Sequence, residues 1–321
     1  MTLSTKLTSA LGIQHPIVLA PMGNVAGGQL AASVSNAGGL GMIGVGYGDL
    51  DWLKIELEKV KSSTSRPWGV GFITWSLTDD VFDFVMEYSP KVVMMSFGDI
   101  SPWVDKIKAH NIPLICQVQS LAEALEVKNK GADFIVTQGS EAGGHGKSQR
   151  STLSLTKGVI DHLPNTPVIA AGGVADGKSL AAMLSLGAVG ASIGSRFYAS
   201  TESMADNTLK NKMVESGGDD TQRTQVFDII REIPWPPEYT GRALKNVFTA
   251  KWHDNETELK RQLHQHQAKF FSEQQSNNLD SAIIWAGECI DSIHAIQSAE
   301  TIINEMVTDA KHSLENPTYS R

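Results

Sequence analysis

Apolar residues recur along the first 200 positions in short unbroken runs, each followed by a longer polar stretch with apolar residues at helical spacing. The runs are 16–20, 40–45, 68–74, 91–96, 113–118, 133–137, 167–171 and 188–193, and each reads as a buried strand. Between them, 29–36, 50–61, 79–88, 102–110, 121–130 and 178–186 carry helical periodicity, as in Trp52, Leu53, Leu57 and Val60. Eight strands alternating with helices within about 200 residues predict an α/β chain folded as a (β/α)8 TIM barrel.

The alternation stops near Ser203, and the text to Ser276 is polar, with the rigid Pro234-Trp235-Pro236-Pro237 and no apolar strand followed by a strong turn. A mainly helical insertion or lid is expected over 203–276, with 255–275 as one helix. His264 and His266, two apart, point to different faces of that helix and do not form a metal pair. The barrel is then expected to comprise 1–202 and 277–321. Its closing helix is predicted over 292–310, with Ile293, Ile296, Ala299, Ile303 and Met306 as its apolar stripe.

With 41% apolar residues in 321 the chain can bury a large core. A net charge of −8 with scattered Lys and Arg excludes nucleic acid and anionic membrane surfaces as expected partners. Cys116 and Cys289 offer neither a disulfide framework nor metal spacing. With no apolar run of membrane length and no leader-like N-terminus, a soluble cytoplasmic protein is expected.

Ligands of such barrels bind at the C-terminal ends of the strands, so the residues just after each run are the informative ones. There the chain places Met22-Gly23-Asn24, Gly71, Gln117, Gln138, Gly143-Gly144-His145, Gly172-Gly173 and Gly194-Ser195. The glycine pairs after strands seven and eight occupy the two loops that commonly present backbone N–H groups to a phosphate, which implies a phosphate-bearing cofactor. Tight turns alone are the alternative reading. His145, set among glycines, is poorly placed for core packing, and an imidazole is the side chain best suited to exchange a proton at neutral pH. A solvated loop histidine is its alternative. Gly39-Leu-Gly41-Met-Ile-Gly44 fits G-x-G-x-x-G but opens a strand after a helix, the reverse of a dinucleotide site.

APMGNVAGGQLAASVSNAGGLGMIG near the start, QGSEAGGHGK after strand six and VIAAGGVADGKSLAAMLSLGAVGASIGSRF over strands seven and eight together resemble the nitronate monooxygenase family. The resemblance implies FMN across the barrel mouth. Met22, Gly23 and Asn24 would lie near its ring, Gln117 and Gln138 would make polar contacts, Gly143 and Gly144 would lie against it, and Gly172, Gly173, Gly194 and Ser195 would hold the phosphate. It further implies His145 as the catalytic base that takes an α-proton from a nitroalkane or steadies a nitronate. The implied partners are that small substrate and O2, with a homodimer among the open assemblies. Ser195 stands where threonine is common, and Glu288 where glutamine is common. Lys147 and Arg150 put positive charge at the rim, either solvated or facing inward, and Trp235 and Tyr239 either wall the pocket or pack the insertion. An FMN-dependent enoyl-acyl carrier protein reductase or NAD(P)H:quinone reductase, a flavin-free phosphate-binding lyase or isomerase, and a non-catalytic flavin-binding module remain as alternatives.

Overall fold

The computed structural model describes residues 3–316. Its strands, in chain order, are β1 (Ile17–Leu19), β2 (Gly41–Gly44), β3 (Trp68–Ile73), β4 (Val92–Ser96), β5 (Leu114–Val118), β6 (Phe134–Gln138), β7 (Gly144–Gly146), β8 (Val168–Ala171), β9 (Gly190–Ile193), β10 (Thr221–Thr224) and β11 (Thr240–Leu244). Eight of them form one parallel sheet in the order β1-β9-β8-β6-β5-β4-β3-β2. A parallel bridge between Val18 and Leu40 joins the two end strands, with the Leu19 amide donating to the Leu40 carbonyl at 2.9 Å. Each predicted strand run thus supplies one stave of the TIM barrel, and β1, β2, β4 and β8 are buried at every position because helices cover the outside and side chains fill the inside.

The helices begin and end where local chemistry dictates. Ser120 and Glu123 form a capping box at the start of helix Leu121–Lys130, and Gly131 ends it in the left-handed conformation. Helix Thr152–His162, absent from the predicted set, follows the His145 loop and packs on β6 and β8. The closing helix is Ala299–Glu315 rather than 292–310. Ser298 caps it by accepting from the Thr301 amide, and Glu202 accepts from the Ala299 amide. Residues 288–292 form a 3₁₀ turn, and Ile293 packs in a different cluster from Ile303 and Met306, so the apparent stripe joined two elements. The closing helix lies against helix Gly177–Leu186 so tightly that a Cβ on Gly177 would stand 2.4 Å from Asp309 Cβ.

Between residues 203 and 276 lie helices Asn207–Val214, Val226–Ile230, Val247–Trp252, Glu256–Arg261 and Leu263–Gln275. The expected helix over 255–275 is broken at Gln262. The segment also contains β10 and β11, which were not expected. They pair antiparallel with each other, and β11 pairs antiparallel with β7, the strand that carries His145. A separate core of Val226, Phe227, Ile230, Trp252, Leu259 and Phe270 sits beneath them. Among the described residues no helix is long and apolar enough to cross a membrane.

Candidate active site

A cavity of about 560 Å³ opens at the C-terminal ends of the barrel strands. Met22, Gly23, Asn24, Gln117, Gln138, Gly143, Gly144, His145, Gly172, Gly173, Gly194 and Ser195 all border it. So do Tyr47, Ser192, Arg231, Trp285 and Cys289, which the sequence did not single out for this place, and Trp235, one of its two candidates for a pocket wall.

The glycines here fall into two physical kinds. At Gly44, Gly71 and Gly143 an added Cβ would strike Met22, Pro21 or Ala286 at 2.7 Å or less, so protein packing demands their small size. At Gly144, Gly173 and Gly194 it would meet nothing within about 3.6 Å. Gly144 and Gly173 have φ of +70° and +72°, which itself favours glycine. Gly194 has φ −103°, an ordinary value, so neither backbone strain nor a protein neighbour accounts for its missing side chain. The space in front of it is open to the cavity, room enough for close approach of a ligand. Nearby, the Ser192 hydroxyl oxygen is buried on the cavity wall without a hydrogen-bond partner, and buried polar atoms rarely stay unpaired. These features fit an oxygen-rich ligand. The Ser195 hydroxyl accepts from the Gly287 amide at 2.9 Å, which leaves its own proton free to donate.

His145 is held on every side. Its backbone lies opposite Gly241 in the β7–β11 ladder. Gln138 donates from Nε2 to the His145 carbonyl at 2.9 Å, while its Oε1 accepts from Gln119 Nε2 at 2.8 Å and Gln117 Nε2 at 3.3 Å. The imidazole Nε2 lies 2.9 Å from Asp228 Oδ2, and Arg231 Nη2 donates to Asp228 Oδ1 at 2.8 Å. Trp235 stacks on the imidazole at 3.8 Å between centroids and 5° between planes, with Trp285 against another side at 4.9 Å. Trp235 Nε1 in turn donates to the Tyr47 hydroxyl at 2.8 Å, whose pKa burial raises above its ordinary value.

Two half-buried arginines, Arg223 and Arg242, stitch this loop to the insertion. Arg223 donates to the carbonyls of Ser140, Gly146 and Thr240, and burial beside Arg242 pushes its pKa down to about 10. Arg242 reaches the Ser140 carbonyl and pairs with Glu288 at 2.8 Å. That pair is the contact of the glutamate in the Trp285-Ala286-Gly287-Glu288 turn. Glu141 turns away from the imidazole and accepts from the Thr152 amide. Lys147 pairs with Glu123 at 2.6 Å and lies over the Tyr239 ring, and Arg150 donates to the Ser154 carbonyl. Neither cation borders the cavity. Trp235 is a pocket wall, whereas Tyr239, 7% exposed, packs against Phe97 and Trp235. The Cys289 thiol is pushed up to about 11, chiefly by burial. His264 and His266 belong to no cluster able to hold a metal ion among the described residues. The glycines of 39–44 serve packing, since a Cβ on Gly41 would overlap the Ala31 carbonyl.

Sequence reasoning missed Asp228, Arg231, Gln119 and Tyr47. Asp228 lies 83 positions from His145 in a polar segment, and no local pattern marks it.

Fold and site together define a TIM-barrel protein with its ligand cavity at the strand C-termini and a fixed imidazole at the mouth. The nitronate monooxygenase family model matches residues 4–81 and 73–309. The chain belongs to that family of flavin oxidoreductases. A probable nitronate monooxygenase of Staphylococcus saprophyticus is 32% identical over 306 residues, covering 81% of this chain and 83% of that protein. A Rhodococcus jostii relative, named a (3aS,4S,5R,7aS)-5-hydroxy-7a-methyl-1-oxo-octahydro-1H-indene-4-carboxyl-CoA dehydrogenase, is 35% identical over 228 residues. The match takes in 71% of this chain but only 64% of that relative, less than two thirds of its length. Among solved structures, FabK from Thermotoga maritima superposes with a TM-score of 0.87 at 30% identity over 98% of both chains. A nitroalkane oxidase from Streptomyces ansochromogenes, at 24% identity and TM-score 0.82, shares the fold.

Proposed function

We propose that this chain is an FMN-dependent oxidoreductase that converts alkyl nitronates or nitroalkanes and O2 to a carbonyl compound and nitrite. The observation that carries the reading is the fixed imidazole of His145, facing the same cavity as the open cradle of Gly144, Gly173 and Gly194. Family membership and the Staphylococcus relative support the substrate class. The backbone around Gly172, Gly173, Gly194 and Ser195 would hold the phosphate, with Ser192 and Ser195 offering hydroxyl groups. Met22, Gly23, Asn24 and Gln117 would border the ring, with Gly143 and Gly144 close against it. Bound FMN supplies the electron transfer to O2, which no side chain can perform. The protein's own part is to place the substrate's α-carbon by His145, to take its proton there, and to exclude water with Trp235, Trp285 and Tyr47.

His145→Ala tests this reading. The purified variant should stay yellow yet lose about 10²- to 10⁴-fold in turnover of a neutral nitroalkane, while a preformed nitronate, whose proton is already gone, still reacts. Wild-type rates with nitroalkane would exclude His145 as the base.

The likeness to FabK over nearly the whole chain, and the dehydrogenase named for the Rhodococcus relative, favour a second reading. It is a flavin reductase fed by NAD(P)H, of the enoyl-acyl carrier protein reductase or quinone reductase kind. Anaerobic titration separates the two. Fast bleaching by NADPH or NADH points to the reductase, and bleaching by propyl nitronate with slow response to either nucleotide points to the oxidase.

A further inference from the structure

We infer that Asp228 is a positioning residue for His145: it accepts the Nε2 proton, fixes the imidazole in one tautomer and leaves Nδ1 as the atom that takes the substrate proton. The inference rests on the reading of His145 as the base.

The geometry is specific. A neutral imidazole has one N–H and one lone pair, so a nitrogen that serves a carboxylate oxygen does so as the donor, and the other nitrogen keeps the lone pair. Nε2 is that donor, at 2.9 Å from Asp228 Oδ2. Nδ1 makes no hydrogen bond among the described residues. Both side chains are nearly buried, 10% exposed for His145 and 5% for Asp228, so water does not compete for the pair. The carboxylate is itself oriented. Arg231, three residues on, takes Oδ1, and its own Nε donates to the Phe227 carbonyl at 2.9 Å. One oxygen therefore belongs to Arg231 and the other to His145. Trp235, parallel to the imidazole, confines the ring to one plane.

The proton transfer this arrangement supports is simple. Nδ1 takes the α-proton of a neutral nitroalkane. The electron pair of the broken C–H bond forms the C=N bond of the nitronate, and the negative charge goes to the nitro oxygens. The imidazolium so formed keeps its Nε2–H on Asp228, whose negative charge offsets the new positive one.

Arg231 makes Asp228→Asn a sharp test. With Arg231 donating, the amide oxygen of the variant must face the guanidinium, and its NH2 group must face His145. Nε2 then becomes the acceptor and the proton moves to Nδ1, blocking the base. The experiment uses 15N-histidine-labelled holoprotein and long-range 1H–15N correlation spectra, with the His145 signal assigned by its loss in His145→Ala. Turnover of nitroethane and of ethyl nitronate is measured in parallel for the wild type, D228N, D228A and H145A. The expected result is the Nε2–H tautomer in the wild type and Nδ1–H in D228N. D228N should lose about 10²- to 10⁴-fold in kcat on nitroethane, change KM little, keep its flavin absorbance and retain ethyl nitronate turnover. D228A, which removes the oxygen without imposing the wrong tautomer, should fall less far.

An Nδ1–H tautomer in the wild type would overturn the inference, whatever the variants do. So would D228N turning over nitroethane normally while H145A is inactive. If H145A itself keeps the nitroethane rate, the reading of His145 as the base fails instead.

Discussion

Gly194 shows how much a single missing side chain can say. Its φ is ordinary and a Cβ would find space, so the protein alone has no need of glycine there. Gly194→Ala should therefore fold with the melting temperature of the flavin-free wild type. What it should lose is the extra stability conferred by added FMN, about 2.7 kcal/mol at a hundredfold excess over Kd. Equal FMN-dependent melting shifts in the two proteins would remove Gly194 from the cradle. This position was legible in the sequence, because a glycine just after an apolar run marks a strand end at a barrel mouth. Asp228 was not. A lone aspartate in a polar segment carries no periodic signal, and its partner is 83 positions away.

At the level of elements, the barrel strands were readable because burial on both faces forces unbroken apolar runs. The small sheet was not, for the opposite reason. β7 is Gly-His-Gly and β11 is Thr-Gly-Arg-Ala-Leu, sequences with weak strand preference that pair only because the fold brings them together. One helix was expected over 255–275, and its break at Gln262 into Glu256–Arg261 and Leu263–Gln275 has no proline or glycine in the sequence to announce it. β11 also carries a testable constraint. A Cβ on Gly241 would stand 2.3 Å from the Trp285 ring, which packs beside His145. Gly241→Ala should displace Trp285 and destabilise the chain by about 1–3 kcal/mol, lowering nitroalkane turnover while leaving FMN affinity near that of the wild type. Denaturant melts and flavin titration of the same sample check both halves.

For the whole molecule, three cores matter: one inside and around the barrel, one beneath the insertion, and one between them that includes Val25, Tyr198, Leu244 and Ile284. The return segment near Trp285 packs on the insertion as well, through the Ala243–Trp285 bridge and the contact with Phe227. Across the cavity mouth, a hydrogen bond from Trp235 Nε1 to the Tyr47 hydroxyl ties the insertion to the loop after β2. Tyr47→Phe removes that acceptor and keeps the ring, so it should cost about 0.5–1.5 kcal/mol and quicken amide hydrogen exchange around 234–239. Unchanged exchange there would mean that the packing of Trp235 against Trp75, Phe97 and His145 holds the loop without that hydrogen bond.

The pairing of β7 with β11 has a further consequence. Asp228, Arg231 and Trp235, which orient the imidazole ring, are all written in the stretch 203–276, whereas Met22, Gln117, Gly173 and Gly194, which would cradle the dye, are written in the barrel. A relative's 203–276 stretch, spliced in with its own partner for the β7 edge, would retune which carbon acid gives up its proton without disturbing how the pigment sits.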